Sequence, residues 1–231
     1  MIFKTDVYMQ RKHIDVPTNP RILIVPITSD KGMCGGVNAS IMREVRYFVN
    51  HTADRSRVAV FPVGDKGAMS LQRPMPDLVK TAISHISYPV NYPTVMAISE
   101  HIVKASEQSD KIIVYYNEFK SAISYLNRKM ELMPRHQFLN SMSYCKLYDM
   151  KYPDKNTANP ALYELYVTSN LWVAFLNNAA SEQSARMTAM ENATKNAGEI
   201  IEKVRIQYNR ARQARITKDL VEIISGAAAL E

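Results

Sequence analysis

Arg21-Ile-Leu-Ile-Val-Pro-Ile27 runs into Thr28-Ser-Asp-Lys-Gly32 and then, past a Gly-rich turn, into Asn38-Ala-Ser-Ile-Met-Arg-Glu-Val-Arg-Tyr-Phe-Val49. The first segment is continuous, apolar and β-branched, the composition of a strand buried on both faces. Pro26 has no amide proton, so pairing is expected to stop or fray near it. The second segment is a turn cluster. The third places Ile41, Val45 and Phe48 on one helical face, with Asn38 as the expected N-cap. Further along, Val58-Ala-Val-Phe-Pro-Val63 reads as a strand closed by Gly64, and Thr94 to Glu107 as a helix. Lys111-Ile-Ile-Val-Tyr-Tyr116 is a third strand, with Ser121 to Met133 and Ser141 to Leu147 as possible further ones. Strand, helix, strand, helix, strand predicts a small α/β domain with a largely parallel sheet.

From Asn159 onward the periodicity changes. No proline follows Pro160, which suits a first helical turn, and only Gly198 and Gly226 interrupt good helix formers. Met187, Met190, Thr194, Ala197, Ile201, Val204, Tyr208 and Ala211 step alternately by three and four residues, a heptad seam. Ile216, Leu220, Ile223 and Ala227 continue it at looser spacing. A helix of about 70 residues runs on the order of 105 Å, longer than a domain of this size can bury. Its stripe needs a partner helix, and the other predicted helices are short. The expected division is a lead-in over 1–20, an α/β domain over 21–157 and a long helix over 158–231.

Composition narrows the class. Of 231 residues, 46% are hydrophobic and 22% charged, near the averages of globular proteins, so disordered and low-complexity classes fall away. Two cysteines, Cys34 and Cys145, are too few for a disulfide scaffold. No apolar run reaches the 18 or so residues of a membrane helix. Twenty-nine basic against 22 acidic residues give a net charge of +7, which favours an acidic partner without choosing among nucleic acid, membrane and protein.

The chemistry-bearing candidates are few. Ser29 to Asn38 joins strand to helix and holds Gly32, Gly35 and Gly36. It matches neither of the common phosphate-binding glycine motifs, so a tight structural turn fits better than a phosphate cradle. Cys34 in that turn has no local histidine to activate it and reads as a packed residue. The histidines form no metal-ligand spacing, so neither a metal site nor a Ser-His-Asp arrangement is expected, nor is a bound cofactor. Arg205, Arg210, Arg212, Arg215 and Lys218 form a basic run spread around the helix. With Tyr208 as the one interleaved aromatic there is no stacking platform for nucleic acid, and acidic protein loops suit the arginines better. A nucleotide-binding α/β protein and a basic coiled-coil protein on nucleic acid are the alternatives.

Three stretches resemble the gamma subunit of F-type ATP synthases: Ser29-Asp-Lys-Gly-Met-Cys-Gly-Gly-Val-Asn38, Ala180-Ser-Glu-Gln-Ser-Ala-Arg-Met-Thr-Ala-Met190 with the following Asn192 to Gly198, and Tyr208 to Ala229. The middle, roughly 65 to 157, matches more loosely. The resemblance implies a non-catalytic rotor, with a Rossmann-like foot on the membrane-embedded c-ring and a coiled-coil shaft inside the hexamer of alpha and beta subunits. Delta and epsilon are the accompanying central-stalk subunits, and the membrane is met only through the c-ring. Carried over residue by residue, Arg212, Gln213 and Thr217 match the family's polar contacts to a beta-subunit loop. Arg186 matches a position linked with coupling, and Ile223 to Leu230 the shaft tip. The family's N-terminal helix has no counterpart in Met1 to Asn19, so the unpartnered seam is expected to be met by residues missing from this sequence or by another chain. The plastid type's paired-cysteine insertion is not seen. The basic charge and the Met and Tyr usage favour the mitochondrial inner membrane, matrix side, with a bacterial plasma membrane as the alternative.

Overall fold

The computed structural model describes residues 19–86, 88–142 and 155–228. In chain order the elements are β1 (Ile22–Pro26), α1 (Val37–His51), β2 (Val58–Val60), α2 (Asp65–Gln72), α3 (Tyr92–Ala105), β3 (Lys111–Ser121), β4 (Ser124–Leu132), α4 (Arg135–Met142) and α5 (Lys155–Ala228). Two compact units divide the chain, Met1–Arg186 and Met187–Glu231, so the first half of α5 belongs with the sheet.

The sheet has the order β2-β1-β3-β4. β1 pairs in parallel with both β2 and β3, from Ile22 opposite Val58 and Lys111 to Pro26 opposite Tyr115. β4 returns antiparallel to β3, with Ile112 opposite Leu132, through the short turn at Ala122 and Ile123. The expected parallel core is therefore present, with one antiparallel edge. Alternation along β1 sorts side chains to two faces. Ile22 and Ile24, with Ile113 and Tyr115 of β3, pack against Ile41, Met42 and Val45 of α1 and Leu71 of α2. Leu23 and Val25, with Ile112 and Val114, pack against Val95, Ile98 and Ile102 of α3 and against Tyr163, Val167 and Leu171 of α5. Both faces are covered, as a buried parallel strand requires.

Several local expectations shift. Gly36, not Asn38, holds the N-cap position of α1, and Asn38 lies inside the helix with its side chain turned back to Ser29. α5 begins at Lys155, so Pro160 sits inside the helix instead of in its first turn. α2 has no strong apolar period and escapes sequence reading; Gly64 and Gly67 shape it, as described below. Residues 141 and 142 are helical, not strand, and the rest of the expected 141–147 strand lies outside the described residues.

Within the first unit, α5 buries one face. Tyr163, Val167, Leu171, Ala174 and Phe175 are at most 4% exposed, each large aliphatic one contributing about 1.5–3 kcal/mol. The second unit differs. Among the described residues from Met187 to Gly226, none is buried. Ile201, Val204, Tyr208, Ile216 and Leu220 are 55–67% exposed, so the seam lies open along the helix. Ion pairs Arg215–Asp219 and Lys218–Glu222, at 4.0 and 3.5 Å, link successive turns. Such exposed pairs add about 0.3–0.5 kcal/mol each.

Candidate functional site

At the carboxyl end of β1 the chain leaves the sheet, and four polar side chains fix its path. The Thr28 hydroxyl donates to the Val63 carbonyl at 3.0 Å and accepts the Gly67 amide at 3.0 Å. Neither neighbour tolerates a side chain. A Cβ at Gly64 would stand 2.2 Å from the Thr28 carbonyl oxygen, and one at Gly67 would stand 2.6 Å from the Thr28 hydroxyl oxygen. Asp30 is a double acceptor, taking the Asp65 amide at 2.8 Å and the Ile86 amide at 2.7 Å. It thereby fastens the first turn of α2 and the segment leading to Tyr88 to the same loop.

The Gly-rich turn is organised by Asn38. Its Oδ1 accepts the Ser29 amide at 3.0 Å, and its Nδ2 donates to the Ser29 hydroxyl at 2.7 Å and to Cys34 Sγ at 3.2 Å. Cys34 is 3% exposed, the packed residue expected; Cys145 lies outside the described residues. Of the three candidate glycines, Gly35 has a left-handed φ of +60°. A Cβ at Gly32 would stand 3.8 Å from Lys66 and one at Gly36 3.5 Å from the Tyr125 hydroxyl, ordinary contact distances. Met33 also adopts φ +60° and is 74% exposed at the tip.

α5 supplies the opposite wall. Asn178 Oδ1 accepts the Asn117 side-chain amide at 3.0 Å, and Ser181 donates to the Asn177 carbonyl at 2.8 Å. Ser184 donates to the Ala122 carbonyl at 2.6 Å, tying the β3–β4 turn to the helix. One turn away, Glu182 is fully buried, and Tyr88 donates its hydroxyl to Glu182 Oε2. Arg186 donates to Glu182 Oε1 at 2.5 Å and to Gln183 Oε1 at 3.0 Å. Burial, then Glu182 itself, pushes the Tyr88 phenol well above its ordinary range. A small cleft lies among Ile27, Thr28, Asp30, Tyr88, Phe175 and Asn178. Its polar groups are engaged in bonds that hold elements together. Among the described residues no three His, Cys, Asp or Glu side chains converge as a metal site would need. What the arrangement does chemically is fix position: strand, loop and helix are bonded to one another through side chains.

Arg212, Gln213 and Thr217 lie within two turns of the second unit and are all exposed. Gln213 and Thr217 are four apart and share a helix face. Arg186 is half-buried at the last position of the first unit. Sequence reading missed Thr28, Asp30, Tyr88, Asn117, Asn178 and Glu182. One signal was available: Leu171, Phe175, Asn178 and Glu182 step by four, three and four, which puts a carboxylate in the buried register of α5.

Residues 3–230 match the family model described as ATP synthase. The ATP synthase gamma chain of Fuscovulum blasticum is 38% identical over 215 residues, covering 90% of this chain and 73% of that protein. That of Paracoccus denitrificans is also 38% identical, over 217 residues, with 91% and 73% covered. Among solved structures, the central stalk and c-ring of Tetrahymena thermophila mitochondrial ATP synthase includes a chain 42% identical to this one, with a TM-score of 0.73 and 82% of each chain covered. A chain of the Euglena gracilis mitochondrial enzyme shares the fold at a TM-score of 0.76, with 22% identity and coverage of 91% and 73%. The chain is thus a stalk component of a multisubunit ATP synthase. The chain belongs to the gamma-chain family of ATP synthases. As a gamma chain it is a subunit of that complex and not an enzyme on its own.

Proposed function

We propose that this chain is the central-stalk rotor of an F-type ATP synthase, carrying rotation of the c-ring to the catalytic sites of the beta subunits. The observation that carries the reading is the second unit, a helix whose apolar seam and basic run are exposed from Met187 to Gly226. Such a surface has a use only against other protein: a partner helix along the seam, and surrounding alpha and beta subunits with carboxylates for the arginines. The first unit serves as the foot, with delta, epsilon and the c-ring as its neighbours, and the membrane is met through the ring alone. A foot over 21–157 and a long helix over 158–231 are the proposed domains, with the part of that helix up to Arg186 grouped with the foot. Arg212, Gln213 and Thr217 are the shaft's polar contacts to a beta-subunit loop, Arg186 is a coupling contact, and Gly32, Gly35 and Gly36 shape the turn beside α1. The 42% identity to a mitochondrial stalk chain supports a place on the matrix side of the mitochondrial inner membrane, although bacterial gamma chains are nearly as similar.

The test is made in the assembled complex. Arg212→Ala with Gln213→Ala removes a guanidinium fork and an amide from an exposed helix face, so the fold should be untouched. ATP turnover of the assembled enzyme is expected to fall at least about tenfold, the order of one charge-assisted hydrogen bond of about 1.5 kcal/mol. Unchanged turnover in a fully assembled variant would remove these two residues as coupling contacts.

A further inference from the structure

Glu182 is a carboxylate with no exposed surface, standing on the face of α5 that otherwise packs Leu171 and Phe175 against the sheet. An apolar side chain there would avoid the cost of desolvating a charge, so stability alone does not account for an acid. Its two oxygens are divided between two partners. Oε2 takes the Tyr88 hydroxyl, and Oε1 takes Arg186 Nη2 at 2.5 Å. Tyr88 is itself held in place, since the Ile86 amide two residues earlier is bonded to Asp30 at 2.7 Å. Burial and the adjacent carboxylate keep the Tyr88 phenol protonated, so it remains a donor. On the other side, Arg186 is gripped twice, by Glu182 and by Gln183 Oε1 at 3.0 Å, yet its side chain keeps 20% exposure. A guanidinium has five donors in a rigid fork, and these contacts use two. The result is a chain of bonds from the β1 loop through Tyr88 and Glu182 to an arginine that still reaches solvent.

We propose that Glu182 and Tyr88 are positioning residues that hold the Arg186 guanidinium in one orientation for a carboxylate on an acidic loop of a neighbouring subunit. The proposal rests on the reading of Arg186 as a coupling contact. A flexible arginine at this point would form the same ion pair only after losing its rotamer freedom; a gripped one has lost it already.

The reconstituted ATP synthase carrying this chain, in sealed vesicles, gives the readout as ATP-driven proton pumping per ATP hydrolysed. Arg186→Gln is expected to lower that ratio. Tyr88→Phe and Glu182→Gln are expected to lower it roughly two- to tenfold at normal assembly, and Tyr88→Phe should add nothing on the Arg186→Gln background. Where Glu182→Gln prevents assembly, Tyr88→Phe, which loses one hydroxyl, carries the test alone. If Tyr88→Phe lowers the ratio as much with Gln at 186 as with Arg, it acts on the fold and the proposal is overturned. If Arg186→Gln lowers the ratio and Tyr88→Phe does not, the arginine contact stands and its positioning by Tyr88 and Glu182 is overturned. If Arg186→Gln itself changes nothing, the contact fails and the proposal with it.

Discussion

Asn117 of β3 and Asn178 of α5 meet side chain to side chain at 3.0 Å, at 0% and 3% exposure. A buried amide left without its acceptor keeps its desolvation cost. Asn178→Ala is therefore expected to destabilise the first unit by about 1–3 kcal/mol. The urea midpoint of the chain, compared at equal slope, measures it. A midpoint within error of the native one would mean that Asn117 is satisfied elsewhere.

Gly64 has φ +102° and no space for a Cβ beside Thr28. Gly64→Ala combines backbone strain with overpacking, each about 1–3 kcal/mol, and should cost about 2–6 kcal/mol in urea unfolding. Gly35→Ala, with φ +60° and nothing within 4 Å, keeps the strain without the clash and should cost less. The reverse order would contradict the geometry of the Thr28 turn.

Alkali should weaken the fold through its buried phenols. Burial raises Tyr115 and Tyr163 to about 12, whereas an unfolded tyrosine titrates near 10. The folded chain holds these protons where the unfolded chain has lost them. Their contribution is thus fully present below pH of about 10 and is lost as pH rises toward about 12. Tyr115→Phe should flatten the fall in urea midpoint over that window. An equally steep fall in the variant would place the alkaline sensitivity elsewhere.

Seam substitutions should separate folding from assembly. Ile201 is 67% and Val204 55% exposed, so Ile201→Lys with Val204→Lys should change the stability of the chain alone by no more than about 0.5 kcal/mol. Incorporation into the complex, read by co-purification with alpha and beta subunits, should fall several-fold. Undiminished incorporation would mean that the seam has no partner there.

The legible parts of this molecule are those with a strong apolar pattern. β1 to β3 stand out as short continuous β-branched runs, which burial on both faces demands, and the seam of α5 as apolar and small residues recurring at three and four, which a partner helix demands. Asn38 has the residue type of a cap but makes another bond, because its donor, the Ser29 amide, is placed by the exit angle of β1. α2 was invisible because eight residues with a mid-helix glycine carry too few apolar positions, and Gly67 is there for Thr28 and not for the helix. Tyr88 and Glu182 are 94 residues apart, and nothing local to either announces the other. Arg186, by contrast, lies in a stretch that resembles the family, and its bonds to Glu182 and Gln183 join ordinary neighbours on a helix turn.

The exposed seam also bears on supply. A copy of this chain made without its partners presents isoleucine, valine and leucine to solvent over turn after turn of α5, a surface that other unassembled copies match equally well. Its safe concentration is therefore set by the number of complexes waiting to receive it. Production in excess of that number feeds self-association and proteolysis, so the abundance of this rotor is governed by the abundance of its housing.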